Sequence, residues 1–169
     1  MQFKKIEKKD LQLNPITTFS DDWPLLTAGN AEKGYNTMTI AWGHLGAIWN
    51  KPTLNVYVRP QRHTKAFMDD NATFTVSVLP SEYKKALSYL GKASGRDEDK
   101  VAKAGVTPIF DQDTTYFEEA KVVFICRKLY QAPIKEASFL DQSLSETVYP
   151  QKDFHDMYVG EIVEILVKD

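Results

Sequence analysis

Apolar and polar side chains alternate with a period of two along three segments of this chain, and two longer segments are further strand candidates. The segments run over residues 36–42, 53–59, 73–78, 120–134 and 156–168. Alternation of this kind is typical of β-strands that bury one face, so we predict at least five strands. Gly160 lies inside the last segment, where a β-bulge or a close backbone approach is easiest to accommodate.

Helical signals interrupt these strands without alternating regularly with them. Asn14 before Pro15 predicts an N-cap and a short helix or turn ahead of residue 23. Three further helices are predicted over residues 62–70, 81–90 and 97–104. A doubly wound parallel sheet needs a helix after every strand, so this order favours an antiparallel barrel with helices outside it. The edges of such a barrel need cover, which a second subunit could supply.

Length and composition narrow the class of protein. The 169 residues show no internal repeat and no proline-rich or serine-rich linker, so residues 1–169 are predicted to form one domain of mainly β structure with peripheral α-helices. The chain carries 21 basic and 23 acidic side chains, a formal charge of -2, which argues against nucleic-acid binding. No apolar run has the length of a signal peptide or a membrane span, so we expect a soluble, cytoplasmic protein.

Cysteine and histidine are too few and too far apart to suggest a metal site. Cys126 is the only cysteine, which excludes an internal disulfide, and its strand-like surroundings predict an inert core thiol. His44, His63 and His155 lack the short spacings of zinc ligands. We therefore predict no bound metal.

The stretch VRPQRHTKAF, residues 58–67, concentrates polar side chains where a predicted strand ends and a predicted helix begins. Free N–H groups in the first helical turn would form a phosphate-binding corner with the guanidinium groups of Arg59 and Arg62 and the hydroxyl of Thr64. Alternatively, the same cations only solvate a surface helix and pair loosely with aspartates such as Asp69. The residues alone leave both interpretations open.

Three other features could complete a ligand site. Thr37, Thr39 and Ala41 form a small face of the first predicted strand, which is either a surface for a flat aromatic ligand or an ordinary solvent-facing row. The loop GKASGRDEDK, residues 91–100, adds positive charge beside two glycines, although a helix cap explains it equally well. His155, at the start of the last strand, is either a proton donor or a hydrogen-bonded strand-end residue.

Five short sequence motifs, or words, occur in this chain in a characteristic order and at characteristic spacings: NTMTIAWGHLG, VYVRPQRHTKAF, TVSVLP, SGRDEDK and HDMYVGEI. Together they resemble the flavin reductase-like family, and most closely its flavoredoxin-type branch. The resemblance runs from residue 27 to residue 165 and rests on the ordered set, since no single word is decisive. It implies an antiparallel split β-barrel of Greek-key type that binds FMN.

The resemblance also implies roles for individual residues. The strand that contacts the isoalloxazine ring and the ribityl chain supplies Asn36, Thr37, Met38 and Thr39. The residues implied to bind the phosphate are Arg59, Gln61, Arg62, His63 and Thr64. A loop that closes over the cofactor supplies Lys92, Ser94 and Arg96. In some members the closing loop comes from the neighbouring subunit, and members are usually homodimers with cofactor sites near the interface. His155 matches a catalytic histidine near the flavin, although related reductases often read GDH where this chain reads DFH.

The activity implied by the resemblance is electron transfer between NAD(P)H and a flavin or protein acceptor. Two alternatives on the same barrel stay open: a non-enzymatic FMN electron carrier that docks a redox-protein partner, and an enzyme like the pyridoxamine-phosphate oxidases. A nucleic-acid-binding barrel is a further alternative, which the acidic balance disfavours. The choice between NADH and NADPH is open, because no GxGxxG fingerprint occurs in the chain.

Overall fold

A computed structural model describes residues 2–168 of the protein. Within this range the chain forms ten strands, which in chain order are Phe3–Lys5 (β1), Leu25–Asn30 (β2), Gly34–Thr39 (β3), Gly43–Ile48 (β4), Lys51–Val58 (β5), Thr73–Val78 (β6), Pro108–Asp111 (β7), Thr114–Phe117 (β8), Val122–Pro133 (β9) and Asp156–Lys168 (β10). The strands are more numerous than the α-helices and contain more residues, which confirms the predicted mainly β class.

The α-helices are short and connect the strands: Pro15–Thr17 (α1), Thr64–Asp70 (α2), Lys84–Lys92 (α3), Lys100–Ala104 (α4) and Gln142–Val148 (α5). Oδ1 of Asn14 accepts from N of Ile16 at 3.0 Å, which confirms the predicted N-cap. Gly105 ends α4 with a φ of 69°, a left-handed conformation that glycine adopts easily, and the helix ends at residue 104 as predicted. Within residues 2–168, no helix is both long and apolar enough to span a membrane.

Eight strands form one sheet in the order β3-β2-β6-β9-β10-β5-β4, with β1 paired to β10. β7 and β8 form a separate hairpin. Every pairing is antiparallel, which confirms the prediction drawn from the irregular succession of helices. β3 and β4 end the strand order, so each has one unpaired edge among the described residues.

The sheet curls, so that residues from strands far apart in the strand order share one core. Met38 of β3 and Val56 of β5 belong to the same apolar cluster as Phe74 and Phe124 of the central strands. A second cluster lies on the other side of the sheet, where α3, α4 and the β7–β8 hairpin cover residues such as Leu25. The strand β3 therefore lies between the inner core and a layer of helices.

Sequence periodicity missed β2 and β4, because neither strand has one apolar and one polar face. β2, LLTAGN, is buried along its whole length, so Thr27 lies as deep as the leucines beside it. β4, GHLGAI, contains two glycines and is mostly exposed. The predicted strand over 36–42 ends at Thr39, where β3 leaves the sheet.

Two positions in the inner core are as predicted. The pairing of β9 with β10 shifts register between Val159 and Gly160, which confirms a bulge at this glycine. A Cβ atom on Gly160 would lie 2.5 Å from Cζ of Phe74, so close packing also requires glycine here. Cys126 is fully buried next to Gly160, and burial raises the pKa of its thiol, as expected of an inert core cysteine.

Candidate functional site

Two adjoining cavities lie beside β3, and Arg62 lines both. The first, which we call the open cleft, has a volume of about 230 Å³ and is lined by Met38, Thr39, Ile40, Ala41, Trp42, Tyr57, Arg59, Arg62 and His155. The second, the basic pocket, has a volume of about 210 Å³ and is lined by Asn36, Gln61, Arg62, His63, Thr64, Lys92, Ala93, Ser94, Arg96 and Lys100. Of the thirteen residues predicted for the site, twelve line one cavity or the other, and Thr37 lines neither.

The basic pocket forms where β3, the start of α2 and the loop after α3 meet. Nδ2 of Asn36 donates to Oγ1 of Thr64 at 2.8 Å, which joins the strand to the helix. Nη1 of Arg96 donates to the main-chain O of Gln61 at 3.2 Å, which joins the loop to the same helix start. A Cβ atom on Gly95 would lie 2.3 Å from Oδ1 of Asn36, so this close approach requires glycine. The predicted phosphate corner and closing loop thus form one pocket within a single chain.

Positive charge in the basic pocket lacks carboxylate partners. No salt bridge described within residues 2–168 involves Arg62, Arg96 or Lys100. Lys100 is only 3% exposed, and its Nζ donates to the main-chain O of Leu90 at 3.1 Å and of Ala93 at 3.0 Å. Burial, with a smaller effect of Arg62, lowers the pKa of Lys100 to about 8. An anion in the pocket would relieve the repulsion among these cations.

Lys100 is a site residue that sequence reasoning missed. It ends the word SGRDEDK, but the predicted helix over 97–104 placed it inside that helix with no special role. In the structure α4 begins at Lys100, and the N-cap is Asp99, whose Oδ1 accepts from N of Ala102 at 3.1 Å. The later helix start turns Lys100 towards the basic pocket. Burial, with smaller effects of Arg96 and Lys100, lowers the pKa of His63.

His155 lies in the open cleft as a neutral imidazole. The residue is only 8% exposed, and its Nδ1 lies 2.8 Å from the hydroxyl of Tyr149. Its ring centroid is 5.0 Å from that of Trp42, another residue of the cleft wall. Burial, with a smaller effect of Arg59, lowers the pKa of His155 to about 4, so the charged form is scarce at pH 7. His155 can therefore offer a hydrogen bond in the cleft, but not an acidic imidazolium.

Arg59 already has a counterion and lines the open cleft rather than the basic pocket. Its Nη1 donates to Oδ2 of Asp153 at 2.5 Å, and its Nη2 donates to O of Val148 at 3.0 Å. Its guanidinium carbon lies 5.0 Å from the ring centroid of Tyr149. Nε2 of Gln61 donates to the same Asp153 oxygen at 2.8 Å. The phosphate contact of Arg59 stays a prediction; in the structure Asp153 balances the charge of Arg59, and the pair holds the segment before β10 against the end of β5.

Comparison with known proteins identifies the family. A sequence profile described as the flavin reductase like domain matches residues 18–169. The chain belongs to the flavin reductase-like family. Among curated proteins, none matches this member of the family with significant sequence similarity.

Solved structures of flavin reductase-like proteins share the fold at low sequence identity. An FMN-binding domain of a flavin reductase-like enzyme from Shewanella baltica OS155 aligns with a TM-score of 0.69 and 14% identity, over 98% of this chain and 77% of its own. The flavoredoxin from Methanosarcina acetivorans aligns with a TM-score of 0.66 and 20% identity, over 98% and 76%. The flavoredoxin of Desulfovibrio vulgaris (Miyazaki F) aligns with 0.66 and 23%, over 96% and 78%. The predicted antiparallel split β-barrel is therefore confirmed.

In this flavin reductase-like chain, the small face of β3 is covered at Thr37, so neither a ligand surface nor a solvent-facing row describes that residue. Thr37 is fully buried; its Oγ1 lies 2.8 Å from Oγ1 of Thr27 and donates to O of Leu26 at 3.1 Å. Oγ1 of Thr39 donates to O of Leu87 in α3 at 2.5 Å. A flat ligand cannot lie against the Thr37 side chain, because the neighbouring strand already contacts it, whereas Thr39 is half-buried and lines the open cleft.

What β3 offers a ligand is its unpaired edge. N of Ile40 donates to O of Pro24 at 2.9 Å, on the side where β3 pairs with β2. Backbone groups of successive residues in a strand point to opposite edges, so the N–H groups of Thr37 and Thr39 face the unpaired edge. Thr39 and Ala41 also line the open cleft. The predicted ligand contacts of Thr37 and Thr39 are therefore kept for their backbone and not for their hydroxyls.

Proposed function

We propose that this chain binds FMN, with the phosphate in the basic pocket and the ring system in the open cleft. The observation that carries the proposal is a pair of cations without carboxylate partners, the half-buried Arg62 and the buried Lys100, next to a cleft with aromatic walls. Because Arg62 lines both cavities, one molecule can span them with an anionic end and a flat end. A phosphate monoester of a tricyclic ring has this form.

The donors in the basic pocket suit a phosphate. Oγ1 of Thr64 accepts from Asn36, and Oγ of Ser94 accepts from N of Arg96 at 3.2 Å. Each hydroxyl therefore keeps its own proton for donation to an anion. The Arg62 guanidinium adds charge-assisted hydrogen bonds to these two donors. Asn36 thus acts on the phosphate indirectly, by orienting the Thr64 hydroxyl.

The open cleft suits a ring with carbonyl oxygens on one edge. The backbone N–H group of Thr39 can donate to such an oxygen and stabilise negative charge there. Trp42 and Tyr57 supply aromatic walls, and the neutral His155 adds a polar contact without bringing a charge. When bound, FMN supplies reversible two-electron chemistry, and the protein supplies its binding and its electrostatic surroundings.

We further propose that NAD(P)H is the electron donor and that a flavin or a redox protein is the acceptor. Family membership supports this class of activity. Trp42 is 47% exposed at the cleft, so a second planar molecule can reach the wall of the cleft from solvent. The neutral His155 is placed to orient such a molecule by hydrogen bonding rather than to protonate it.

Spectroscopy tests both steps of this proposal. Protein freed of small molecules should bind FMN saturably, and at least about tenfold more tightly than riboflavin, because only FMN carries the phosphate. Anaerobic mixing of the FMN complex with NADH or NADPH should then bleach the visible flavin absorbance. Failure to bind FMN would contradict the proposal as a whole. Binding without bleaching by either nucleotide would favour the electron-carrier alternative, and oxygen-dependent turnover of pyridoxamine phosphate would favour the oxidase alternative.

We also propose that the protein forms a homodimer through the tip of the β4–β5 hairpin and its surroundings. Trp49 and Asn50 form the turn with φ angles of 53° and 56°, a conformation that is unfavourable for a bulky residue such as tryptophan. Trp49 is nevertheless 53% exposed, with Tyr130 nearby at 47% and Ile48 at 44%. An exposed apolar cluster held at some conformational cost is typical of an interaction surface.

Analytical ultracentrifugation should therefore show a dimer for the wild-type protein. Replacing Trp49 with glutamate should shift the equilibrium towards monomer, because dimerisation would bury an unpaired charge. Leu140→Glu, on an exposed residue of the segment between β9 and β10, is the matched control and should leave the dimer intact. A monomeric wild type, or a Trp49→Glu protein that is as dimeric as wild type, would argue against this interface.

A further inference from the structure

Lys100 has one hydrogen-bond donor that no described residue satisfies. A lysine ammonium carries three N–H bonds, and two of them are directed at the main-chain oxygens of Leu90 and Ala93. With 3% of the residue exposed, bulk water does not solvate the third. Lys100 lines the basic pocket and also a neighbouring cavity beside residues 97–99, so an anion or a polar group that enters the basic pocket can accept from the remaining donor.

The carboxylates closest in sequence are engaged elsewhere. Glu98 pairs with Lys103, and Asp99 caps α4 through its bond to N of Ala102. Asp97 acts on His63 rather than on Lys100. Lys100 is thus a buried cation that forms no salt bridge among the described residues, although the acidic residues 97–99 line a cavity with it.

We propose that Lys100 is the cation that makes the basic pocket selective for a dianionic phosphate monoester, and that it takes up a proton when that group binds. The inference rests on the proposed FMN function and deepens it, because it assigns the residue that couples cofactor binding to pH. In this scheme, the guanidinium of Arg62 binds the phosphate directly. The buried ammonium of Lys100 neutralises the remaining negative charge of the phosphate.

Lys100 has acidic neighbours on one side, where residues 97–99 line a cavity with it, and four titratable groups on the other side, in the basic pocket. Arg62 and His63 come from the start of α2, Lys92 from the end of α3, and Arg96 from the loop between α3 and α4. Arg62 is the group that disfavours the charged form of Lys100 after burial itself. All four are basic, so adding a dianion stabilises the protonated form of Lys100.

The sign of the pH dependence follows from this arrangement. In the free protein the pKa of Lys100 is lowered to about 8, and a bound dianion raises it again. Affinity for the phosphate monoester is therefore full below about pH 8 and falls as the pH rises through the free-protein value, by up to about tenfold per pH unit. The second ionisation of a phosphate monoester lies near pH 6, so the ligand itself stays dianionic throughout this window.

The test compares FMN with riboflavin, which shares the ring but lacks the phosphate, from about pH 7 to pH 9.5. In the wild-type protein, the ratio of FMN affinity to riboflavin affinity should fall above about pH 8. Lys100→Met should lower the ratio about tenfold at pH 7 and make it independent of pH in this window. Lys103→Met, on the exposed side of the same helix, is the matched control and should behave as wild type.

Proton uptake gives a readout that needs no variant. Calorimetric titration of wild-type protein with FMN near pH 8.5, in two buffers of different ionisation enthalpy, should report uptake of a substantial fraction of one proton, and titration with riboflavin should report none. A wild-type protein that binds FMN with a pH-independent ratio and no proton uptake would overturn the role of Lys100 while leaving FMN binding intact. A protein that binds no FMN at any pH would instead overturn the proposed function itself.

Discussion

FMN affinity is expected to fall about a hundredfold when Arg62 and Thr64 are both replaced by alanine. The substitutions remove a charge-assisted hydrogen bond, about 1.5–3 kcal/mol, and a hydroxyl donor, about 0.5–1.5 kcal/mol. Each 1.4 kcal/mol corresponds to about tenfold in affinity. Riboflavin affinity should fall much less, because Thr64 lines only the basic pocket and the phosphate is the main partner proposed for Arg62, which also lines the open cleft. Fluorescence titration with the two ligands measures both effects.

Suitable controls separate phosphate binding from folding. Arg127→Ala combined with Thr147→Ala removes the same two side-chain types from exposed positions, where Arg127 pairs with Glu161, and should leave FMN affinity unchanged. Arg62→Lys should give an intermediate loss, because it keeps the charge but not the guanidinium fork. Thermal unfolding must accompany the titrations, since Thr64→Ala also leaves Nδ2 of Asn36 without its acceptor. A folded Arg62→Ala and Thr64→Ala protein with wild-type FMN affinity would refute the phosphate assignment.

Gly95→Ala is expected to weaken FMN binding about thirtyfold without touching any ligand donor directly. The added Cβ would lie 2.3 Å from Oδ1 of Asn36 and 3.3 Å from Cδ2 of His63, closer to Asn36 than real atoms approach. Either Asn36 turns away and releases the Thr64 hydroxyl, or the loop lifts and carries Arg96 away from the pocket. Both adjustments disturb the geometry of the basic pocket by an amount we estimate at about 2 kcal/mol.

The matched control for this substitution is Gly46→Ala. An added Cβ at Gly46 meets no atom within 4 Å, and neither position has a φ that would strain alanine. FMN and riboflavin titrations of both variants, alongside their melting temperatures, show whether the effect belongs to the pocket. Equal FMN affinities for Gly95→Ala and Gly46→Ala would mean that the contact of Gly95 with Asn36 does not organise the site.

The residues of the site could be named from the sequence because most of them stand in short contiguous words. The word QRHT brings Gln61, Arg62, His63 and Thr64 to one strand-to-helix junction whatever the rest of the fold does. The hydrogen-bond and salt-bridge partners of the site residues could not be predicted in this way. Asp153, which engages Arg59, lies 94 positions further along the chain. No local pattern links two residues at that distance, so the sequence predicted two equivalent arginines where the structure has one paired and one unpaired.

By itself, the amino-acid sequence determined the class of fold and the chemistry near β3, because alternation with a period of two reports burial of one strand face, and residues adjacent in sequence cannot be far apart in space. Only the tertiary structure decided which groups are available to a ligand. The packing of α3 engages the Thr39 hydroxyl of β3, the position of β3 at the end of the sheet exposes its backbone donors, and the later start of α4 buries Lys100. Each of these outcomes depends on contacts between distant segments, which the curl of the sheet brings together.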